Sequence, residues 1–179
     1  MVPTMDAIDQ VVMNTRLHYL GSAARTIEPR LKLAVLTCMD ARVDVYGLLG
    51  LRPGDAHVIR NVGGRSTDDA ITALALSQAV LGTREVMVIH HTECAVGRFS
   101  QTELANRIAQ ATGRPFTEEL GTFTDPVAAV VEDVGRLRMS AHLVHRDKIR
   151  GFMYDLASSK LVEMGREGLR PSGDKDGTY

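Results

Sequence analysis

Apolar positions along the chain follow two rhythms. Short unbroken aliphatic runs, "LKLAVLTC" (31–38), "AHVIRNVGG" (56–64) and "REVMVIHH" (84–91), are bounded by proline, glycine or charged residues. Runs of that length and composition predict strands buried on both faces, the second of them closing on two glycines. Between and after them the apolar residues recur every three to four positions, the spacing of one helix face.

Helices are predicted at several places. Residues 6–20 carry Ile8, Val11, Val12 and Tyr19 at helical spacing before "LGS", an arm suited to packing on another subunit. "DVYGLLGLRPGD" reads as a short helix closed by a Gly and Pro turn. Ser66 or Thr67 opens a longer one, with Asp68 and Asp69 favouring its dipole and Gly82 as its stop. Ser100 with Glu103 has the form of a capping box before a polar helix reaching about Ala111. Asp125 and Pro126 start another, with Val127, Val130, Val131, Val134 and Leu137 as its apolar stripe. "GFMYDLASSKLVEM" predicts a hairpin turning near Ser158 and Ser159, ahead of a Gly- and Asp-rich tail (170–179) that would fray.

Strands alternating with helices define an α/β fold: a mainly parallel central sheet, helices on both faces and an N-terminal helical arm (1–25). The length of 179 residues suits one domain. Hydrophobic residues at 44%, charged residues at 24% and a net charge of -1 describe a globular protein without the basic footprint of a nucleic-acid or anionic-membrane binder. A small neutral or weakly charged ligand fits better. With neither a secretory leader nor a spanning run in view, the expected location is cytoplasmic.

The chemistry concentrates where strands end. In a parallel sheet ligands bind beyond the carboxyl ends of the strands. There the chain delivers Cys38, Asp40 and Arg42 from "CMDAR", Asn61, Gly63 and Gly64 from "RNVGG", and His90, His91 and Cys94 from "HHTEC". Cys38 and Cys94 are the only cysteines, which argues against a disulfide scaffold. Two thiolates and one imidazole suit Zn²⁺, and three protein ligands plus an open position define a catalytic rather than a structural site. Asp40 is then either a fourth ligand or the partner of Arg42, whose forked guanidinium competes with a metal for the carboxylate.

C-x-D-x-R at Cys38, Asp40 and Arg42, with H-x-x-C at His91 and Cys94, resembles the β-class carbonic anhydrases, most closely their shorter prokaryotic members. The likeness extends from about Leu31 to Cys94 and more weakly to "RGFMYDLASSKL", with "RNVGG" matching that family's Asn-Ala-Gly segment. It implies an antiparallel edge strand on the parallel sheet and a homodimer or higher homo-oligomer. It further implies zinc on Cys38, His91 and Cys94, and reversible hydration of CO₂ to bicarbonate and a proton by a zinc-bound hydroxide. Asp40, paired with Arg42, would orient that hydroxide, and Asn61, Gly63 and Gly64 would border the substrate. Two thiolates leave zinc less acidic than imidazoles do, so activity is expected to rise with pH.

Two positions depart from the family pattern: Val62 replaces a commoner small residue, and Ala95 stands where glycine usually follows the second cysteine. Hydrolysis of CS₂ or COS at the same centre is therefore the alternative reaction, and a noncatalytic zinc or thiol sensor the alternative class. Spacing alone leaves His90 in competition with His91. The resemblance favours His91 and leaves His90 to packing or to a role behind the metal. His57, His142 and His145 receive no assignment.

Overall fold

The structure is a computed structural model that describes residues 26–164 together with Ala7, Ile8, Val11 and Val12. Those four N-terminal residues are helical, with Ile8 and Val11 exposed; Tyr19, the rest of the expected arm and the tail at 170–179 lie outside the described residues.

β1 (Leu33–Cys38) begins after Lys32, whose positive φ of 53° ends the preceding turn. α1 (Val45–Leu49) is capped by the Asp44 side chain, which accepts from the Gly47 N–H, and closed by left-handed Gly50. β2 (Ala56–Asn61) stops at the asparagine, and "VGG" forms one turn of 3-10 helix rather than extending the strand. α2 (Asp68–Ala79) takes Thr67 as its cap, with Asp68 and Asp69 in the first turn, and ends short of Gly82. β3 (Glu85–His91) leads into a single-turn helix, α3 (Ala95–Arg98), whose N-cap is Cys94. α4 (Gln101–Thr112) carries the complete Ser100/Glu103 capping box and ends at left-handed Gly113. α5 (Pro126–Met139) is capped by Asp125, and the hairpin of β4 (Ile149–Asp155) and β5 (Lys160–Met164) follows.

The strands form one sheet in the order β2-β1-β3-β4-β5. β2, β1, β3 and β4 run parallel, and β5 pairs antiparallel with β4 at the edge. Alternation along the strands sends successive side chains to opposite faces. Ala34, Leu36, Val86, Val88 and Ile149 meet Ala70 and Leu74 of α2 and Val134 and Leu137 of α5 on one face. Val35, Ile89 and Phe152 meet Val45 of α1 on the other, where Leu33, Val58, Met87 and Leu161 remain only partly buried. Gly151 of β4 lets α5 approach closely, since a Cβ there would lie 2.6 Å from Val130 Cγ1.

Candidate active site

The carboxyl ends of β1 and β3 lie side by side and carry Cys38 and His91; the turn after β3 returns Cys94 to the same point. All three are buried, and their ligand atoms lie within 4.8 Å of one another. The two sulfurs are 3.9 Å apart and unbridged. Two sulfurs each bound to one tetrahedral zinc ion at ordinary Zn–S lengths would be about 3.8 Å apart, so the spacing fits. His91 Nδ1 is 2.8 Å from the Thr92 carbonyl, which fixes the proton on that nitrogen and turns the lone pair of Nε2 toward the sulfurs. Nε2 is buried without a hydrogen-bond partner. An orphaned imidazole nitrogen facing two sulfurs is the arrangement a soft divalent cation completes.

Strand alternation resolves the competition between the adjacent histidines. His90 follows Val86 and Val88 onto the α5 face of β3, whereas His91 points the other way, into the cluster.

Asp40 turns away from that cluster onto Arg42. Its Oδ1 accepts from the Arg42 backbone N–H at 2.9 Å and from Nε at 3.0 Å, and Oδ2 accepts from Nη2 at 2.7 Å. Oδ2 nevertheless stays 3.9 Å from His91 Nε2, at the edge of the candidate metal site. Arg42 Nη2 also donates to the Glu93 carbonyl at 3.1 Å, and Glu93 reaches that geometry with φ of +56°. Arg60 of β2 grips the other side, donating to the carbonyls of Cys38 at 3.0 Å and Asp40 at 2.6 Å. Sequence reading singled out neither Glu93 nor Arg60. Glu93 offers its own backbone carbonyl and Arg60 binds two others, and no residue pattern announces contacts of that kind.

Electrostatics follows from these contacts. The Arg42 guanidinium holds the Asp40 carboxyl well below the usual carboxylate range, against a smaller upward push from burial. Cys38 is drawn down because Cys94 shares a proton with it and because the Asp40 and Gly63 backbone N–H groups face its sulfur; Cys94, keeping that proton in a buried setting, is pushed up. Burial works to lower His91, but the Cys38 thiolate beside it outweighs that effect and leaves it raised.

The "RNVGG" segment divides its duties. Gly63 lines a cavity of about 280 Å³ that opens onto Cys38, Asp40 and Cys94, with walls from Val62, Ala95, Val96, Leu104, Ile108 and Leu120. Asn61 and Gly64 lie outside that lining. Asn61 Nδ2 donates to the Arg65 carbonyl at 2.7 Å and to Thr67 Oγ1 at 3.3 Å, closing the turn. Gly64, with φ of +71°, packs so tightly that a Cβ would lie 2.9 Å from the Cys38 backbone nitrogen. Thus Val62 and Ala95, the two departures from the family pattern, both face the cavity.

A mainly parallel α/β sheet carries two thiols, one imidazole and a guanidinium-held carboxylate at its carboxyl edge, a donor set that could hold a divalent metal ion. Comparison with known proteins narrows this. The sequence pattern of the family described as carbonic anhydrase matches residues 33–134. Beta-carbonic anhydrase 1 of Mycobacterium tuberculosis is 40% identical over 136 residues, 76% of this chain and 83% of that protein. The crystal structure of carbonic anhydrase from Streptococcus mutans superposes with a TM-score of 0.84 at 33% identity, covering 89% of this chain and 98% of that one. A carbon disulfide hydrolase of Saccharolobus solfataricus is 51% identical over 74 residues, which are 41% of this chain and 36% of that protein. The chain belongs to the β-carbonic anhydrase family.

Proposed function

We propose that this protein catalyses the reversible hydration of CO₂ to bicarbonate and a proton, with zinc held by Cys38, His91 and Cys94. The observation that supports it best is the orphaned, buried Nε2 of His91 facing two sulfurs 3.9 Å apart, with Asp40 held just outside by Arg42. When bound, zinc would lower the pKa of a coordinated water toward neutrality and so supply the nucleophile. The rest falls to the chain. Arg42 keeps Asp40 ionised and off the metal, so the carboxylate can accept a hydrogen bond from the attacking oxygen and aim its lone pair into the cavity. The walls from Val62, Val96, Leu104, Ile108 and Leu120 offer an apolar seat to an uncharged linear molecule and exclude water. Gly63 brings backbone to the edge of that seat, with Asn61 and Gly64 holding its turn in shape.

The apolar seat and the likeness to a carbon disulfide hydrolase also favour a second substrate of the same shape, CS₂ or COS. Stopped-flow hydration of CO₂ by zinc-loaded protein, run beside CS₂ consumption, tests both. Rapid hydration supports the first reading; turnover of CS₂ alone transfers it to the second, and zinc binding without either turnover leaves a sensor.

The partly buried Leu33, Val58, Met87 and Leu161 form an apolar sheet face that self-association would complete, which supports a homodimer or larger homo-oligomer. Free, closely spaced thiols suit a reducing, cytoplasmic setting. No helix among the described residues is long and apolar enough to cross a membrane.

A further inference from the structure

Behind the candidate metal site lies a buried charged cluster that the proposed reaction does not use. Asp133 of α5 is 2% exposed. Its Oδ1 accepts from the Ser66 backbone N–H at 2.9 Å and from Ser66 Oγ at 2.6 Å. Its Oδ2 lies 3.1 Å from Arg65 Nε and 3.0 Å from His90 Nε2. Phe123 stacks on the His90 ring with centroids 5.7 Å apart, and the Arg65 guanidinium sits 5.7 Å from the centroid of the Phe123 ring.

A buried ion pair is weak support for stability, because desolvation cancels most of the attraction and apolar residues of equal volume serve as well. This cluster also leaves His90 Nδ1 and Arg65 Nη1 buried without partners, and His90 Nε2 and Asp133 Oδ2 approach to ion-pair distance without hydrogen-bond geometry. Unsatisfied polar atoms of that kind are costly in a core whose only task is cohesion. What the cluster has instead is position.

Each of its branches ends at a candidate ligand. Through Ser66 and Arg65, Asp133 holds the chain leaving Gly63 and Gly64, and those two residues meet Cys38: Gly63 with its N–H facing the sulfur, Gly64 packed on the backbone nitrogen. Through His90 it fixes the face of β3 that points to α5, and therefore the rotation that sends His91 into the cluster. Phe123 touches the third branch. Its N–H donates to the Val96 carbonyl at 3.1 Å, and its ring leaves no room for a Cβ at Gly97, in the helix that Cys94 caps.

We propose that Asp133 and His90 are positioning residues of the metal centre: from the opposite face of the sheet, the carboxylate and the imidazole together set the geometry in which Cys38 and His91 present their lone pairs. This inference rests on Cys38, His91 and Cys94 being the zinc ligands. Groups that orient metal ligands without touching the metal typically change affinity by about 10- to 100-fold when removed.

The test uses Asp133→Asn, His90→Gln and His90→Leu beside the parent protein, all as the full chain. Zinc affinity is measured by chelator competition, the absorption bands of the cobalt-loaded protein report ligand geometry, and circular dichroism reports folding. Asp133→Asn and His90→Leu are expected to fold, to bind zinc about 10- to 100-fold more weakly and to shift the cobalt bands. His90→Gln, which keeps a donor toward Asp133, is expected to stay within about threefold of the parent. A folded Asp133→Asn with parental affinity and bands, or His90→Gln as impaired as His90→Leu, overturns the inference even if melting temperatures fall. If Asp133→Asn does not fold, the glutamine-against-leucine contrast at His90 decides it. A parent protein that binds no zinc refutes the ligand assignment itself, a separate outcome.

Discussion

Arg42 engages both carboxylate oxygens of Asp40, through Nε at 3.0 Å and Nη2 at 2.7 Å, while its own backbone N–H caps Oδ1 at 2.9 Å. Three donors from one residue fix the carboxylate plane, and the Glu93 carbonyl fixes the guanidinium in turn. Asp40 therefore sits beside the candidate metal site without joining it.

Removing that carboxylate separates binding from turnover. Asp40→Ala should keep one zinc per chain, because Cys38, His91 and Cys94 are untouched, yet hydrate CO₂ at least about 100-fold more slowly, the usual loss when a proton-handling group is deleted. Metal analysis beside stopped-flow assay measures both quantities. Undiminished turnover would remove Asp40 from the reaction.

The pH dependence carries a sign. Asp40 is depressed below its ordinary 3.8, chiefly by Arg42, so it remains ionised throughout the neutral range and cannot supply a limb there. Any rise in rate between about pH 6.5 and 9 then reports the nucleophilic water losing its proton. Arg42→Gln deletes the largest cause of the depression, leaving the backbone N–H of residue 42 on Oδ1, and moves Asp40 toward ordinary carboxylate values. Freed of the guanidinium, the carboxylate can also take the open metal position, so the variant should hydrate CO₂ more slowly across the neutral range while keeping its zinc. Rate profiles of the two proteins check this, and a flat parental profile across the neutral range would contradict it.

How much of this was legible beforehand depends on the kind of interaction. Strands β1 and β3 declared themselves as aliphatic runs, and the caps at Thr67, Ser100 and Asp125 were readable because a side chain answers a nearby backbone N–H. The cysteines stood out by chemistry and spacing, whereas His91 was preferred over His90 by the family resemblance alone. Asp133 did not. On α5 it lies among the valines of an apolar stripe, 67 residues from Ser66, and only the crossing of that helix over β3 turns it into the partner of His90. Gly64 was legible as a turn glycine but not as a contact of Cys38, since backbone against backbone leaves no mark in residue type. Ends of helices were least certain: α2 stops at Ala79 because the Leu81 N–H turns back to the Leu76 carbonyl, which tightens the last turn before Gly82 supplies its left-handed one.

The glycines make a paired comparison. Gly50 and Gly64 both have positive φ, at 62° and 71°, but a Cβ at Gly50 meets nothing within 4 Å whereas one at Gly64 lies 2.9 Å from the Cys38 nitrogen and the Thr37 carbonyl carbon. Gly50→Ala should therefore cost only the conformational penalty, about 1 kcal/mol. Gly64→Ala adds a backbone clash beneath a candidate ligand and should cost at least about 3 kcal/mol, together with weaker zinc binding. Denaturant unfolding of both variants measures the difference. Equal losses would mean that the turn moves freely and does not seat Cys38.

Metal removal should be visible at the sulfurs. Cys38 and Cys94 are 4% and 5% exposed, but both border the cavity, which gives a small reagent its route. Bound zinc would occupy a lone pair on each, so a thiol-selective disulfide reagent should find neither cysteine while the metal is in place. After chelation both should react, because the two sulfurs share one proton and the pair thus offers a thiolate, the reactive form. Hydration activity should fall in step with zinc loss and return when zinc is restored before the reagent is added. Thiols that react equally fast with and without chelator would show that the metal, if bound, is held elsewhere.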